Sequence, residues 1–149
     1  MSDARVIVCE KTGRWASALR RVLRDPPPRV TETRSLAGCW RELEQTPTSL
    51  VALEFAPEDS ETLLRRLLEL RSRYRRARAI VLAERGSEPF EWVLREAGAA
   101  HVQFSPRSLD ATARLIQRHT DSVPPADIDF REAIRRRLPF AAAARQDER

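Results

Sequence analysis

Two carboxylates, Glu10 and Glu54, each follow a short apolar run and are the residues best suited to ion or phosphate chemistry. Brought together, they would form a weak candidate site for a hard divalent cation, which takes oxygen ligands. The other reactive side chains lack companions. Ser105 has no evident His or Asp partner to activate it as a nucleophile. His101 and His119 are far apart and have no Cys at zinc-ligand spacing. A helix C-terminus accounts for His119 through its dipole. Gly13 and Gly38 belong to no phosphate-cradling motif, and the chain has only 4 glycines. Cys9 and Cys39 show neither CxxC spacing nor a His cluster, and read as two buried thiols in a reducing compartment. These residues argue against an enzyme, and no cofactor is expected.

The elements that would position the two carboxylates follow from hydropathy. Val6–Cys9, Leu50–Leu53 and Ala79–Ala83 are continuous apolar runs, the mark of strands buried on both faces. Arg29–Thr33 and His101–Phe104 alternate, as edge strands with less cover do. Between them lie helical stripes. The first is Trp15, Ala18, Leu19, Val22 and Leu23, and the second Leu36, Cys39, Trp40 and Leu43. Leu63, Leu64, Leu67, Leu68 and Leu70 make the third, with Ser60 as its cap. The fourth is Phe90, Val93, Leu94 and Ala97, with Ser87 before it and Gly98 after it. Ser108 caps a fifth helix running to about His119. Alternating strands and helices predict an α/β fold with a doubly wound, five-stranded parallel sheet. Central first, third and fourth strands give the order 2-1-3-4-5 of flavodoxin-like three-layer sandwiches.

From Ala4 to about His119 the chain resembles the receiver domains of bacterial response regulators (the CheY-like fold). The most specific resemblance is Ala97-Gly98-Ala99 followed by Ser105-Pro106, the spacing at which receivers run from an Ala-Gly-Ala helix end to Lys-Pro. Leu50–Glu54 is similar to the strand that presents the phospho-accepting Asp, and Val81–Ala83 to the strand ending in Thr or Ser. The resemblance implies a phosphorylation pocket whose positions here read Cys9, Glu10, Glu54, Ala83 and Ser105. Phosphoryl transfer needs a nucleophile, a divalent cation and groups that stabilise charge on the phosphoryl oxygens. A thiol at Cys9 is a poor magnesium ligand, and Glu54 is one methylene too long. Ala83 lacks the switch hydroxyl, and Ser105 lacks the lysine charge. Losing one such donor costs about 3 kcal/mol of barrier, and here most positions are changed together. The expectation is a degenerate pseudo-receiver. Within it, Glu54 is either a permanent mimic of the phosphorylated state or a strand-end carboxylate that is hydrated or paired with Lys11 or an Arg.

Composition suits a single globular domain: 149 residues, 42% apolar and 33% charged. No apolar run approaches the ~20 residues needed to span a bilayer, and no signal-peptide pattern opens the chain. A cytoplasmic location and no membrane span are expected. The net charge of +5 is local: Arg65, Arg66, Arg71, Arg73, Arg75, Arg76 and Arg78 lie close together with Glu69 the only acid among them. Such a patch is either a solvated face or a nucleic-acid contact.

Trp92 lies off the fourth helical stripe, where an exposed aromatic can anchor an interface. Arg95, Glu96, Arg107 and Arg114 would form its polar surroundings, with Arg118 nearby. Residues 1–120 are read as the receiver-like domain, and residues 121–149 as a linker, a short amphipathic helix carrying Phe130, Ile134 and Leu138, and a tail. Too little chain remains for a DNA-binding output domain. The resulting expectation is a phosphorylation-independent adaptor or dimerisation module for a protein partner or a second copy. The alternatives are a nucleic-acid binder using the Arg65–Arg78 region and a weakly phosphorylatable atypical receiver.

Overall fold

The computed structural model describes residues 4–23 and 26–123. Five strands, β1 (Arg5–Cys9), β2 (Arg29–Thr33), β3 (Leu50–Glu54), β4 (Arg78–Leu82) and β5 (Ala99–Gln103), form one parallel sheet. Their order is β2-β1-β3-β4-β5, as the hydropathy predicts. The helices are α1 (Arg14–Val22), α2 (Leu36–Gln45), α3 (Ser60–Arg73), α4 (Glu91–Ala97) and α5 (Asp110–Ser122). The expected amphipathic segment with Phe130, Ile134 and Leu138 lies outside the described residues. α5 extends through Asp121 to Ser122, two positions into the stretch expected as linker.

Side chains alternate across each central strand, so each strand feeds two cores. Ile7 and Cys9 of β1, Val51 and Leu53 of β3, and Ala79 and Val81 of β4 pack beneath α2, α3 and α4. Val6, Val8, Leu50, Ala52, Ile80 and Leu82 face the opposite way, against α1 and α5. Each fully buried Leu or Ile contributes roughly 1.5–3 kcal/mol relative to exposure, which explains the unbroken apolar runs. β2 is only partly covered, which explains its alternation.

β5 begins two residues earlier than the hydropathy suggests. Its pairing with β4 jumps from Ala79↔Ala99 to Ile80↔His101, leaving Ala100 as a bulge. Local capping also departs from expectation. A 3-10 turn at Pro57–Asp59 precedes α3, so Asp59 occupies the cap position and Ser60 starts the helix. A second such turn, Glu88–Phe90, separates Ser87 from α4. Leu109, not Ser108, precedes α5. Ser35 is the side-chain cap that hydropathy did not reveal: its Oγ accepts from Gly38 N–H at 3.0 Å, satisfying an orphan donor of α2. Gly98 closes α4 at φ 122°, where a Cβ would be strained.

At the opposite end of the sheet, His119 Nε2 donates to Thr48 O at 2.7 Å and fastens α5 to the loop before β3. Its partner is therefore a carbonyl of another segment, not the end of its own helix. Burial holds its pKa below the ordinary 6.5, the Thr48 bond opposes this, and nearby Arg78 adds to the lowering. A histidine depressed in the folded chain contributes stability that is present above its unfolded pKa. That stability is lost as pH falls through the folded value. Urea midpoints are therefore expected to decline as pH drops below 6.5, and His119→Gln, which can still donate to Thr48 O, should flatten that part of the profile. An unchanged slope in the variant would contradict the assignment.

Candidate functional site

The C-terminal ends of β1, β3, β4 and β5 carry the strand-tip residues, and Glu10 is the most constrained of them. It is only 2% exposed. Its two carboxylate oxygens accept from the first turn of α1: Oε2 from Trp15 N–H at 2.9 Å and Oε1 from Ala16 N–H at 2.7 Å. Gly13, at φ 85°, makes the turn that brings this helix start back over the strand end. The arrangement satisfies two orphan N–H donors and places a negative charge at the positive end of the helix. Both oxygens of Glu10 are engaged, which leaves a magnesium ion only their second lone pairs.

Glu54 is bonded to a loop and not to a helix. Its Oε1 accepts from Lys11 N–H at 3.2 Å, so the expected pairing with Lys11 is made by the backbone amide. Glu54 lines a cavity of about 250 Å³ together with Cys9, Lys11, Arg34, Ser35 and Asp59. Ala83 and Ser105 line a second cavity, of about 270 Å³, with Arg14, Trp15, Glu84 and Phe104. Arg14 reaches Glu84 at 2.8 Å across that opening. Ser105 Oγ accepts from Arg107 N–H at 3.2 Å, and Ala83 has only its backbone N–H, which donates to Gln103 O. The five positions therefore share the strand ends but are divided between two cavities.

The residues do not fit a magnesium-dependent phosphorylation site. The cavity offers one carboxylate committed to a helix, one bonded to a loop amide, Asp59 at the cap position of α3, and a thiol. Among the described residues, no group of 3 or more His, Cys, Asp or Glu side chains could hold a metal ion.

Hydropathy did not predict two features here. Gln103 is a buried hub: Nε2 donates to Ser105 O and Ser108 O, both at 2.8 Å, and Oε1 accepts from Thr112 Oγ1 at 2.7 Å. It holds the β5–α5 loop in place. The second is that Cys9 and Cys39 adjoin. The hydrogen bond from Cys39, with help from Thr33, lowers the Cys9 pKa to about 7 despite burial and the nearby Glu54 and Glu10. Donating that proton, together with burial, pushes Cys39 far up.

Away from the strand tips, Trp92 is 73% exposed on α4, the larger of two exposed large apolar side chains among the described residues. Arg95 is held by Glu91 through Nε and Nη2 at 3.0 and 2.9 Å. Glu96 and Arg107 are exposed. Arg114 does not join this face: the turn of α5 places it beside Asp110 and Gln117 in a groove shared with Arg21 of α1. Arg118 lines a different cavity, with Arg78 and Ala100.

The arginine-rich region is less cationic than its composition. Arg65 pairs with Glu61, and Arg66 and Arg73 both pair with Glu69. Arg71 reaches Glu96 O, while Arg66 also stacks over Trp40 and Arg73 over Tyr74. Arg75 and Arg76 are exposed with no ion-pair partner among the described residues.

Glu10→Gln tests the helix-capping role. The amide keeps the shape but leaves one acceptor oxygen for two N–H donors and removes the charge. A loss of about 1–3 kcal/mol is expected, read as a lower urea midpoint at unchanged m-value. A wild-type midpoint would refute the role.

No family model matches the sequence, and no curated protein matches it. Solved structures do share its architecture. A response regulator from Thermotoga maritima superposes with a TM-score of 0.68 at 17% identity, covering 80% of this chain and 98% of that one. The orphan response regulator HP1043 of H. pylori gives 0.61 at 18% identity, over 78% and 96% of the two chains. A CheY-like protein, TadZ, from Pseudomonas aeruginosa gives 0.62 at 12% identity, over 83% and 98%. This chain has the CheY-like receiver fold of response regulators.

Proposed function

We propose that the chain is a pseudo-receiver: a phosphorylation-independent protein–protein interaction module of bacterial signalling, acting in the cytoplasm as an adaptor or dimerisation unit and not as an enzyme. One observation carries this reading: both oxygens of Glu10, the acid at the end of β1, cap α1. A cation bound there would have to compete with two buried, charge-assisted bonds. The other positions agree with this. Glu54 is held by Lys11 N–H, Ala83 has no hydroxyl to sense a phosphoryl group, and Ser105 is turned toward Arg107 N–H.

The interaction surface of this proposal centres on Trp92. Its ring stands exposed on a short helix, with Arg95, Glu96 and Arg107 as the polar rim. Aromatic side chains of this kind supply a large share of interface energy. The partner is a protein or a second copy of the chain. Nucleic-acid binding through the arginine region has less support, because Arg65, Arg66 and Arg73 have acidic partners.

Titration with magnesium and beryllofluoride, a phosphoryl mimic, followed by amide NMR, tests the central claim. No saturable shifts are expected at Glu10, Lys11 or Glu54. Saturable shifts there would restore a working phosphate switch. Trp92→Ala tests the surface. It is expected to change stability by no more than about 0.5 kcal/mol while weakening self-association or partner binding roughly tenfold, about 1.4 kcal/mol. If DNA binding is found instead, with a steep salt dependence that Arg75→Glu and Arg76→Glu abolish, the adaptor reading fails.

A further inference from the structure

Cys9 and Cys39 are distant in sequence, yet three contacts bring them together. Cys9 is the last residue of β1 and is registered with Thr33 of β2. The first turn of α2 lies against the same threonine: a Cβ added at Gly38 would sit 3.7 Å from Thr33 Cβ. Cys39, next along α2, belongs to the same buried cluster as Cys9, and each thiol perturbs the other's titration. Both cysteines are free, and both belong to the core beneath α2 and α3.

Their access to solvent differs. Cys39 is completely buried, whereas Cys9 lines the 250 Å³ cavity, whose charged lining is Lys11 and Arg34 with Glu10, Glu54 and Asp59. A small oxidant in that cavity meets Cys9 first, and Cys39 lies behind it in the same buried cluster. From this geometry we infer that Cys9 and Cys39 form a peroxide-sensitive dithiol, with Cys9 the attacking sulfur and Cys39 the resolving one.

The chemistry balances with a hydroperoxide as the oxidant. The Cys9 thiolate attacks one oxygen of hydrogen peroxide and the O–O bond breaks; that OH stays on Cys9 as a sulfenic acid, and the other leaves as hydroxide. The Cys39 sulfur then attacks the Cys9 sulfur. The S–O bond breaks, and the hydroxyl departs with the Cys39 proton as water, leaving a Cys9–Cys39 disulfide. A dithiol reductant reverses the reaction.

The cross-link would join the end of β1 to the first turn of α2. Ser35 and Leu36, at the start of that helix, line the same cavity as Glu54 and Lys11. Oxidation therefore tightens one wall of the Glu54 cavity. The inference stands on the placement of the two cysteines in one core beside the cavity and does not depend on the interaction module proposed above.

The test uses the full chain, reduced, diluted and treated with hydrogen peroxide, then denatured and alkylated with iodoacetamide for intact-mass and peptide analysis. Joint loss of both alkylatable thiols is expected, with a Cys9–Cys39 cross-linked peptide that dithiothreitol removes. Cys39→Ser should accumulate a Cys9 sulfenic acid trapped by dimedone, and Cys9→Ser should leave Cys39 alkylatable. Sulfinic acid at Cys9 with Cys39 still alkylatable, unmodified thiols, or disulfides only between chains would each overturn the proposal. The wild-type result decides the matter even if a variant fails to fold.

Discussion

The bond pair from Glu10 to the start of α1 is the constraint on which the strand-tip region depends. A carboxylate removed from water costs several kcal/mol unless its oxygens are satisfied. Here the helix supplies the two donors it would otherwise leave unpaired. The requirement is mutual, since α1 has no side-chain cap of its own and no acid in its first turn. Anchoring that turn seats Trp15 in the lower core and brings Arg14 within reach of Glu84, so β1, α1 and the end of β4 are tied together through one side chain.

The same bond pair governs the chemistry of the site. In a pocket built for phosphate, acids at the strand ends stay available to a cation, and the cation gathers the remaining groups. Here Glu10 is turned into the protein, and Glu54 is held by a loop amide. The opening is divided into two smaller cavities, one containing Glu54 and one containing Ala83 and Ser105. Polar side chains at the strand tips are paired mainly with backbone groups of α1 and the adjoining loops. Gln103 completes the pattern by taking up the carbonyls of the β5–α5 loop that would otherwise face the cavity unpaired.

Much of the fold was legible in the sequence because its strongest determinant is periodic. Strands buried on both faces need unbroken apolar runs, and β1, β3 and β4 carry them; β2 alternates because it is half covered. Boundaries set by short-range geometry were less legible. The 3-10 turns before α3 and α4 displace Ser60 and Ser87 from the helix caps, and the bulge at Ala100 shifts β5. Leu68 fits the helical stripe yet is 53% exposed, because α3 buries Leu63, Leu67 and Leu70 on a narrower face. At the site, Trp92 was identifiable as an off-stripe aromatic and Glu54 as a paired carboxylate. Arg114 was misplaced because the turn of α5 directs it toward α1. The Cys9–Cys39 contact needs to be read from two periods at once. Cys9 shares a face with Ile7, Cys39 lies on the inner stripe of α2, and only the layer assignment brings those faces together.

The bulge at Ala100 has a consequence for how copies of this protein can meet. A parallel sheet of this kind ends in two strands whose outer N–H and C=O groups are unpaired, a template for strand addition and for aggregation. Bulges twist a strand locally and break the even spacing of its hydrogen-bonding groups. β5 therefore presents an irregular edge, and β2 guards the other with Arg29 and Glu32. Neither margin invites continuation of the sheet into a neighbour. The helical faces are what the fold leaves for association, and contact there would depend on side-chain identity and not on the generic backbone.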